Sequence, residues 1–151
     1  MELHFKHVKA EDAELLRLTG ELDAYFLEKY DDLTKRYQKH HRLDAMDCRM
    51  LALYGEQAVG CGGWQHLDAH TAEIKRVYVE PGQRRQGVAW TLMRVVENDA
   101  RRQGCTRAVL EAGAEEYGAL AFYQSCGYGF CQAFGEFAGD ENCVCMEKSL
   151  I

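Results

Sequence analysis

The stretch Glu73-Ile74-Lys75-Arg76-Val77-Tyr78-Val79 runs straight into Glu80-Pro81-Gly82-Gln83-Arg84-Arg85-Gln86-Gly87-Val88-Ala89, and this join decides the fold. Val77, Tyr78 and Val79 are strand formers. Pro81-Gly82 breaks the strand, and Gly87 opens a helical run from Val88 to Arg102. The first N–H groups of such a helix lack carbonyl partners, and the helix dipole adds partial positive charge there. That geometry attracts phosphate. Arg84 and Arg85 add two formal charges, and Gly87 permits close approach to the backbone. The stretch reads as a diphosphate cradle; the plain alternative is a helix-capping turn with solvated arginines. Neither Gly-x-x-x-x-Gly-Lys-Ser/Thr nor Gly-x-Gly-x-x-Gly is present, so triphosphate and dinucleotide loops are excluded.

Working outward, the strand Thr71–Val79 is preceded by a meander. Residues 49–54 form one strand, Gly55-Glu56-Gln57 a hairpin turn, and residues 58–65 the partner strand, whose Gly60, Gly62 and Gly63 permit a bulge or a close backbone approach. Residues 66–70 are expected as a second turn. Upstream, Leu3, Phe5 and Val8 suggest a first strand, and Leu15, Leu18, Leu22, Tyr25 and Phe26 recur at helical spacing over residues 10–27, with a kink expected at Gly20. Residues 28–47 are charged and aromatic and read as irregular or helical, either lying over a pocket where they choose the substrate or forming a solvated helix and loop.

Downstream, Ala89, Leu92, Met93, Val96 and Ala100 mark one buried helix face, with Gly104 ending the helix. Trp90 shares the other face with Arg94, Glu97 and Arg101, exposed either to an aromatic part of whatever ligand the cradle holds, to a partner subunit or simply to solvent. Residues 106–111 form a strand reached by a strand–helix–strand crossover, hence parallel and adjacent to Thr71–Val79. Residues 117–126 read as a short helix closed by Gly127, and residues 128–131 and 142–147 as two last antiparallel strands. The whole, residues 1–151, is one α/β domain with a mixed sheet.

Composition agrees with an ordinary globular domain: 47% hydrophobic and 28% charged residues. The net charge of −6 argues against general nucleic-acid binding and suits either solubility or a cationic substrate. No apolar run is long enough for a bilayer and the first nine residues carry no signal segment, so a cytoplasmic protein without membrane contact is expected. The seven cysteines are odd in number and scattered, against a secreted disulfide framework. Cys143 and Cys145 share a strand face, but no second Cys/His pair has zinc-finger spacing; no metal is expected.

Two motifs in this order carry a resemblance. Arg84-Arg85-Gln86-Gly87-Val88-Ala89 resembles the Gln/Arg-x-x-Gly-x-Gly/Ala loop of the GNAT superfamily of acyl-CoA-dependent N-acyltransferases. Ala119, Tyr123, Gly127 and Tyr128 match its Ala-x-x-x-Tyr-x-x-x-Gly-Phe/Tyr element. Glu73-Ile74-Lys75-Arg76 and Met146-Glu147-Lys148 are similar to a bacterial-type branch of that superfamily. The resemblance covers nearly the whole chain. It implies the GNAT fold: an antiparallel N-terminal meander, a central parallel strand pair with a crossover helix, and C-terminal antiparallel strands. It implies acetyl-CoA as cosubstrate, held by Val77, Tyr78, Val79, Arg84, Arg85, Gln86, Gly87, Val88, Ala89 and Tyr123. Departures stand at Arg85, where Gly is commonest, and at Glu116, where many members carry an Asn that contacts the cofactor.

Acylating an amine requires removal of its proton, and Glu73 is the candidate base, with Glu111 on the neighbouring strand as rival. The plain alternative for Glu73 is a strand-edge ion pair with Lys75 or an arginine. The resemblance places an oxyanion-stabilising N–H near Tyr78 or Val79, where the two parallel strands splay, and makes Tyr123 the acid for the departing thiolate. Otherwise Tyr123 is a core tyrosine. No nucleophile motif accompanies the histidines, so direct transfer in a ternary complex is favoured over an acyl-enzyme. A non-catalytic acyl-CoA sensor, a small-molecule acceptor, a protein or peptide acceptor, and a homodimer all remain open.

Overall fold

The computed structural model describes residues 2–30, 42–84, 86–135 and 138–151. Its elements follow in the order β1 (Leu3–His7), α1 (Ala13–Tyr30), β2 (Cys48–Tyr54), β3 (Gln57–Asp68), β4 (Thr71–Val79), α2 (Val88–Arg102), β5 (Arg107–Gly113), α3 (Tyr117–Ser125), β6 (Gly129–Cys131) and β7 (Cys143–Ser149). The seven strands make one mixed sheet in the order β1-β2-β3-β4-β5-β7-β6. β1 to β4 form the antiparallel meander, β4 and β5 are parallel across the α2 crossover, and β7 lies antiparallel between β5 and β6. The expected meander, the parallel pair with its crossover and the closing antiparallel strands are all observed; the sheet adds β1 at the edge beside β2 and β7 inserted between β5 and β6.

The alternation of β2 shows how the layers form. Met50 packs with Leu92, Met93, Val96 and Ala100 of α2, together with Trp64, Ile74, Leu110 and Met146. Leu51 and Leu53, pointing the other way, pack with Leu15 and Leu18 of α1. Leu120 and Cys126, from α3 and its end, join the α2 side. Each fully buried Leu or Met contributes about 1.5–3 kcal/mol, so these two apolar stripes fix which faces the helices cover. α1 begins at Asp12, whose Oδ1 accepts the N–H groups of Glu14 and Leu15 at 3.0 Å each.

Three local expectations are corrected. Helix α1 passes through Gly20 unbroken, because tertiary bonds hold both sides of it: Arg76 grips the carbonyl of Thr19 and the carboxylate of Asp23. These outweigh the roughly 1 kcal/mol helix penalty of one glycine. β3 continues through Asp68, so the second turn shrinks to Ala69-His70; the Asp47 carboxylate accepts the backbone N–H of His66 at 2.7 Å and holds that segment extended. Glu97 does not share the exposed side of α2. Trp90 is exposed with the Arg94 guanidinium over its ring, whereas Glu97 is buried between the Tyr128 hydroxyl and Lys148, both at 2.8 Å.

Candidate active site

β4 and β5 are paired only from Thr71 to Glu73 and from Arg107 to Val109; beyond that the parallel strands splay apart. A bulge in β4 accompanies the splay. Cys61 faces Tyr78 and Gly63 faces Lys75, so Gly62 alone stands opposite both Arg76 and Val77. Arg76 takes φ 62°, the left-handed conformation that costs a non-glycine residue roughly 1–2 kcal/mol. Its guanidinium compensates, donating to Asp23 Oδ1 at 2.6 Å and to the Thr19 carbonyl at 3.1 Å. The extra residue resets the alternation: Ile74 and Val77 both face the α2 layer, while Tyr78 joins the α1 layer. Glycines on β3 leave room for this, since a Cβ on Gly62 would lie 3.2 Å from Val77 Cγ2 and one on Gly60 3.0 Å from the Tyr78 carbonyl.

The Glu80 N–H bonds back to Val59 of β3 at 2.9 Å. Successive N–H groups of a strand alternate in direction, so that of Val79 points into the splay. Arg84 reaches the same place, its Nε donating to the Val79 carbonyl at 2.9 Å and its guanidinium lying 5.7 Å over the Tyr78 ring. Tyr78 in turn donates its hydroxyl to Glu21 at 3.1 Å. Gly87, at φ 78°, is the N-cap of α2 and gives it no side-chain cap. A left-handed turn is what requires glycine there, because a Cβ would meet no atom within 4 Å. The N–H groups of Val88, Ala89 and Trp90 therefore open the helix uncapped, beside the exposed Gln86. Val88 is buried against Val79 and anchors the helix start to the strand end. Arg85 lies outside the described residues, as do residues 31–41 of the segment placed over the pocket.

Below the cradle, Glu73 and Glu111 converge. Glu73 is 8% exposed, with Lys75 Nζ 3.7 Å from its Oε2. Burial pushes the Glu111 carboxyl above the usual range, and the charge of Glu73 pushes it further, while a bond with Cys143 and the charge of Lys75 oppose this. Burial raises the Tyr123 phenol well above its ordinary value, with Cys126 and Glu111 adding to the effect; it stays protonated across the neutral range. Tyr123 packs edge-on against Tyr128 with centroids 6.2 Å apart. Glu73 is the last residue of β4 paired with β5, Glu111 lies two residues past the last paired position of β5, and Tyr123, packed in the α2-side core, feels the charge of Glu111.

This chain matches the acetyltransferase (GNAT) family over residues 15–128. It belongs to the GNAT family. It is 33% identical over 98 residues to the uncharacterized N-acetyltransferase YsnE of Bacillus subtilis strain 168, covering 64% of this chain and 65% of that relative, which is under two thirds of its length. A candidate acyl-CoA N-acyltransferase from Klebsiella pneumoniae superposes with a TM-score of 0.82 at 29% identity, covering 99% of this chain and 98% of the other. A GNAT acetyltransferase of Elizabethkingia anophelis, solved with acetyl-CoA bound, has a TM-score of 0.70 at 17% identity over 97% of each chain, a likeness of fold. The family is one of acyl-CoA-dependent N-acyltransferases.

In this GNAT chain Glu116 has its own structural use. Glu116 precedes α3, and its carboxylate accepts the Tyr25 hydroxyl at 2.9 Å, Lys29 Nζ at 2.5 Å and the Tyr30 hydroxyl, all from the last turns of α1. Burial alone would raise this carboxyl; the bonds from Lys29, Tyr30 and Tyr25 outweigh it and hold it below the usual range. Burial, then Glu116, push the Tyr30 phenol up to about 12. Gly113 lies under this clamp, where a Cβ would sit 3.1 Å from Glu116 Cγ. Sequence reading noticed Glu116 as a departure but not its partners, because they lie some ninety residues away. It also missed Arg76 and Cys143, for which a basic or thiol side chain in a strand gives no signal. None of the seven cysteines is in a disulfide, and no described helix is long and apolar enough to cross a membrane.

Proposed function

We propose that this GNAT protein transfers the acetyl group of acetyl-CoA to a primary amine by direct attack within a ternary complex. One observation carries the reading: the uncapped start of α2 and the splay between β4 and β5 are contiguous, joined through Val79 and Val88, and the splay opens at Glu73, the last residue of β4 paired with β5. The cradle suits the cosubstrate: glycine in the left-handed turn, free helix N–H groups and the Arg84 guanidinium all favour a diphosphate. Acetyl-CoA supplies the activated thioester. Gln86, Gly87, Val88 and Ala89 hold the diphosphate with Arg84 and Arg85, and Val77, Tyr78 and Val79 line the arm.

Glu73 removes the proton of the incoming amine, directly or through one water, and the neighbouring Glu111 keeps the acceptor side acidic enough to draw a cation. The Val79 N–H, aimed into the splay, stabilises the carbonyl oxygen as it gains charge. Tyr123, kept protonated by burial, donates to the departing thiolate, whose ordinary pKa is roughly 8.5. No step needs a metal. The acceptor is a small-molecule or peptide amine, and seven cysteines outside any disulfide suit a cytoplasmic setting. The test is release of free thiol from acetyl-CoA across a panel of small amines and amine-bearing peptides. Amine-dependent release is the expected result. Cosubstrate binding without release for any amine would favour an acyl-CoA sensor, and acylated protein accumulating without an amine would overturn direct transfer.

A further inference from the structure

The far end of α2 holds a second cluster, separate from the acyl-transfer site. Asp99 lies in the last turn of this helix, eleven residues and roughly 16 Å along its axis from Val88. His7 closes β1 and Cys48 opens β2. His7 Nε2 is 3.4 Å from Asp99 Oδ1, and His7 Nδ1 is 3.8 Å from Cys48 Sγ. One donor atom from each residue lies within 4.8 Å of the other two.

This is a thiol, an imidazole and a carboxylate converging from three elements, the donor set that favours zinc. Bonds of about 2.0–2.3 Å in a tetrahedral zinc site place neighbouring ligand atoms roughly 3.3–3.8 Å apart; the Asp99 contact already has this spacing to Nε2, and the Cys48 contact, made to the opposite nitrogen, closes to it from within 4.8 Å by a turn of the ring. The surroundings are arranged as a metal site requires. Asp99 is buried, and its Oδ2 accepts the buried Trp64 indole N–H at 2.8 Å, which fixes the carboxylate with Oδ1 turned to His7. Cys48 is 2% exposed, while the His7 side chain is 59% exposed and gives a path from solvent. Arg49, between Cys48 and Met50, holds the carbonyls of Val8, Leu43 and Met46, so the strand ends are braced independently of the cluster. The C-terminal end of a helix favours a cation. Arg102 is the competing charge, and its Nη2 reaches Asp99 Oδ1 only at 3.7 Å from a mostly exposed side chain.

We propose that His7, Cys48 and Asp99 form a zinc site with water as fourth ligand, tying the ends of β1 and β2 to the last turn of α2. The exposed imidazole turns so that a single nitrogen ligates, and Cys48 gives up its thiol proton to solvent on binding. Positions 7, 48 and 99 form no spaced motif, which is why the sequence carries no sign of a metal.

The experiment uses the full chain, freed of metal under reducing conditions, with zinc chloride titrated against a chromophoric chelator and cobalt(II) as spectroscopic probe. The expected result is one equivalent of zinc bound, not displaced by excess magnesium, and a thiolate-to-cobalt charge-transfer absorption. Cys48→Ser should abolish that absorption, while Cys61→Ser and Cys105→Ser, at buried thiols elsewhere, should retain it. His7→Ala, at an exposed side chain whose loss leaves the core intact, should weaken zinc by tenfold or more. Trp64→Phe, which removes the brace on Asp99 along with part of a fully buried side chain, should weaken it about 10–100-fold. Absence of the charge-transfer absorption, its survival in Cys48→Ser, or unchanged zinc affinity in His7→Ala would each overturn the proposal.

Discussion

Arg76 allows the bulge that opens the sheet to be tested by a reversal of the usual order of stabilities. In an ordinary strand, glycine is less stable than alanine by about 0.5–1 kcal/mol. Position 76 is held at φ 62°, where alanine carries a left-handed penalty of roughly 1–2 kcal/mol that glycine escapes. Arg76→Ala and Arg76→Gly lose the same bonds to Asp23 and Thr19. That shared loss is about 1.5 kcal/mol, at the low end for a charged hydrogen bond, because the Asp23 side chain is 56% exposed and recovers water. The difference between the two variants therefore isolates the backbone, and Arg76→Gly should be the more stable by about 0.5–1 kcal/mol. Urea denaturation reads this directly, since a slope of about 1–3 kcal/mol/M turns it into a midpoint separation of a few tenths molar. Both variants should also lose turnover, because nothing would then tie the bulge to α1. An alanine variant as stable as the glycine variant, or more so, would refute the left-handed bulge.

Three further outcomes follow from the site. Glu111 holds its proton more tightly folded than unfolded, so its ionisation destabilises the native state as pH rises above the ordinary value of 4.5 and through the folded value. Glu111→Gln should then match the parent's melting temperature near pH 4 and exceed it at pH 7–8; a deficit at pH 8 would contradict this. Tyr123→Phe should lower kcat by about 10²-fold or more with the KM for acetyl-CoA within about twofold, whereas an unchanged kcat removes the acid role. In Glu73→Gln the acidic limb of the kcat/KM profile should vanish, and a profile identical to the parent's would transfer the base role away from Glu73.

Much of this arrangement was legible in the sequence because its signals are local. Val77 to Val79, Pro81-Gly82 and Gly87 declare a strand, a break and a helix start within fifteen residues, and α2 begins and ends where its glycine and apolar spacing say. The crossover rule then places β5 beside β4 without any long-range information. What escaped is non-local. The bulge at Arg76 depends on a carbonyl at Thr19 and a carboxylate at Asp23, more than fifty residues away. Those same bonds keep α1 whole at Gly20, where propensity alone argues for a break. The Glu116 clamp and the His7, Cys48 and Asp99 cluster each gather side chains from elements distant in the chain, and no spacing pattern announces them. Glu97 misled for a related reason: a charged residue on α2 reads as solvated until its two partners, Tyr128 and Lys148, come in from the other end of the chain.

The central claim is that the backbone amides opening α2, with the arginine at 84 beside them, hold coenzyme A by its diphosphate. Calorimetry of the purified chain with coenzyme A and with pantetheine, which keeps the thiol arm and lacks the diphosphate, addresses it most directly. Heat from coenzyme A and none from pantetheine at the same concentration is the predicted result. Equal affinity for the two, or no heat from coenzyme A, would contradict it.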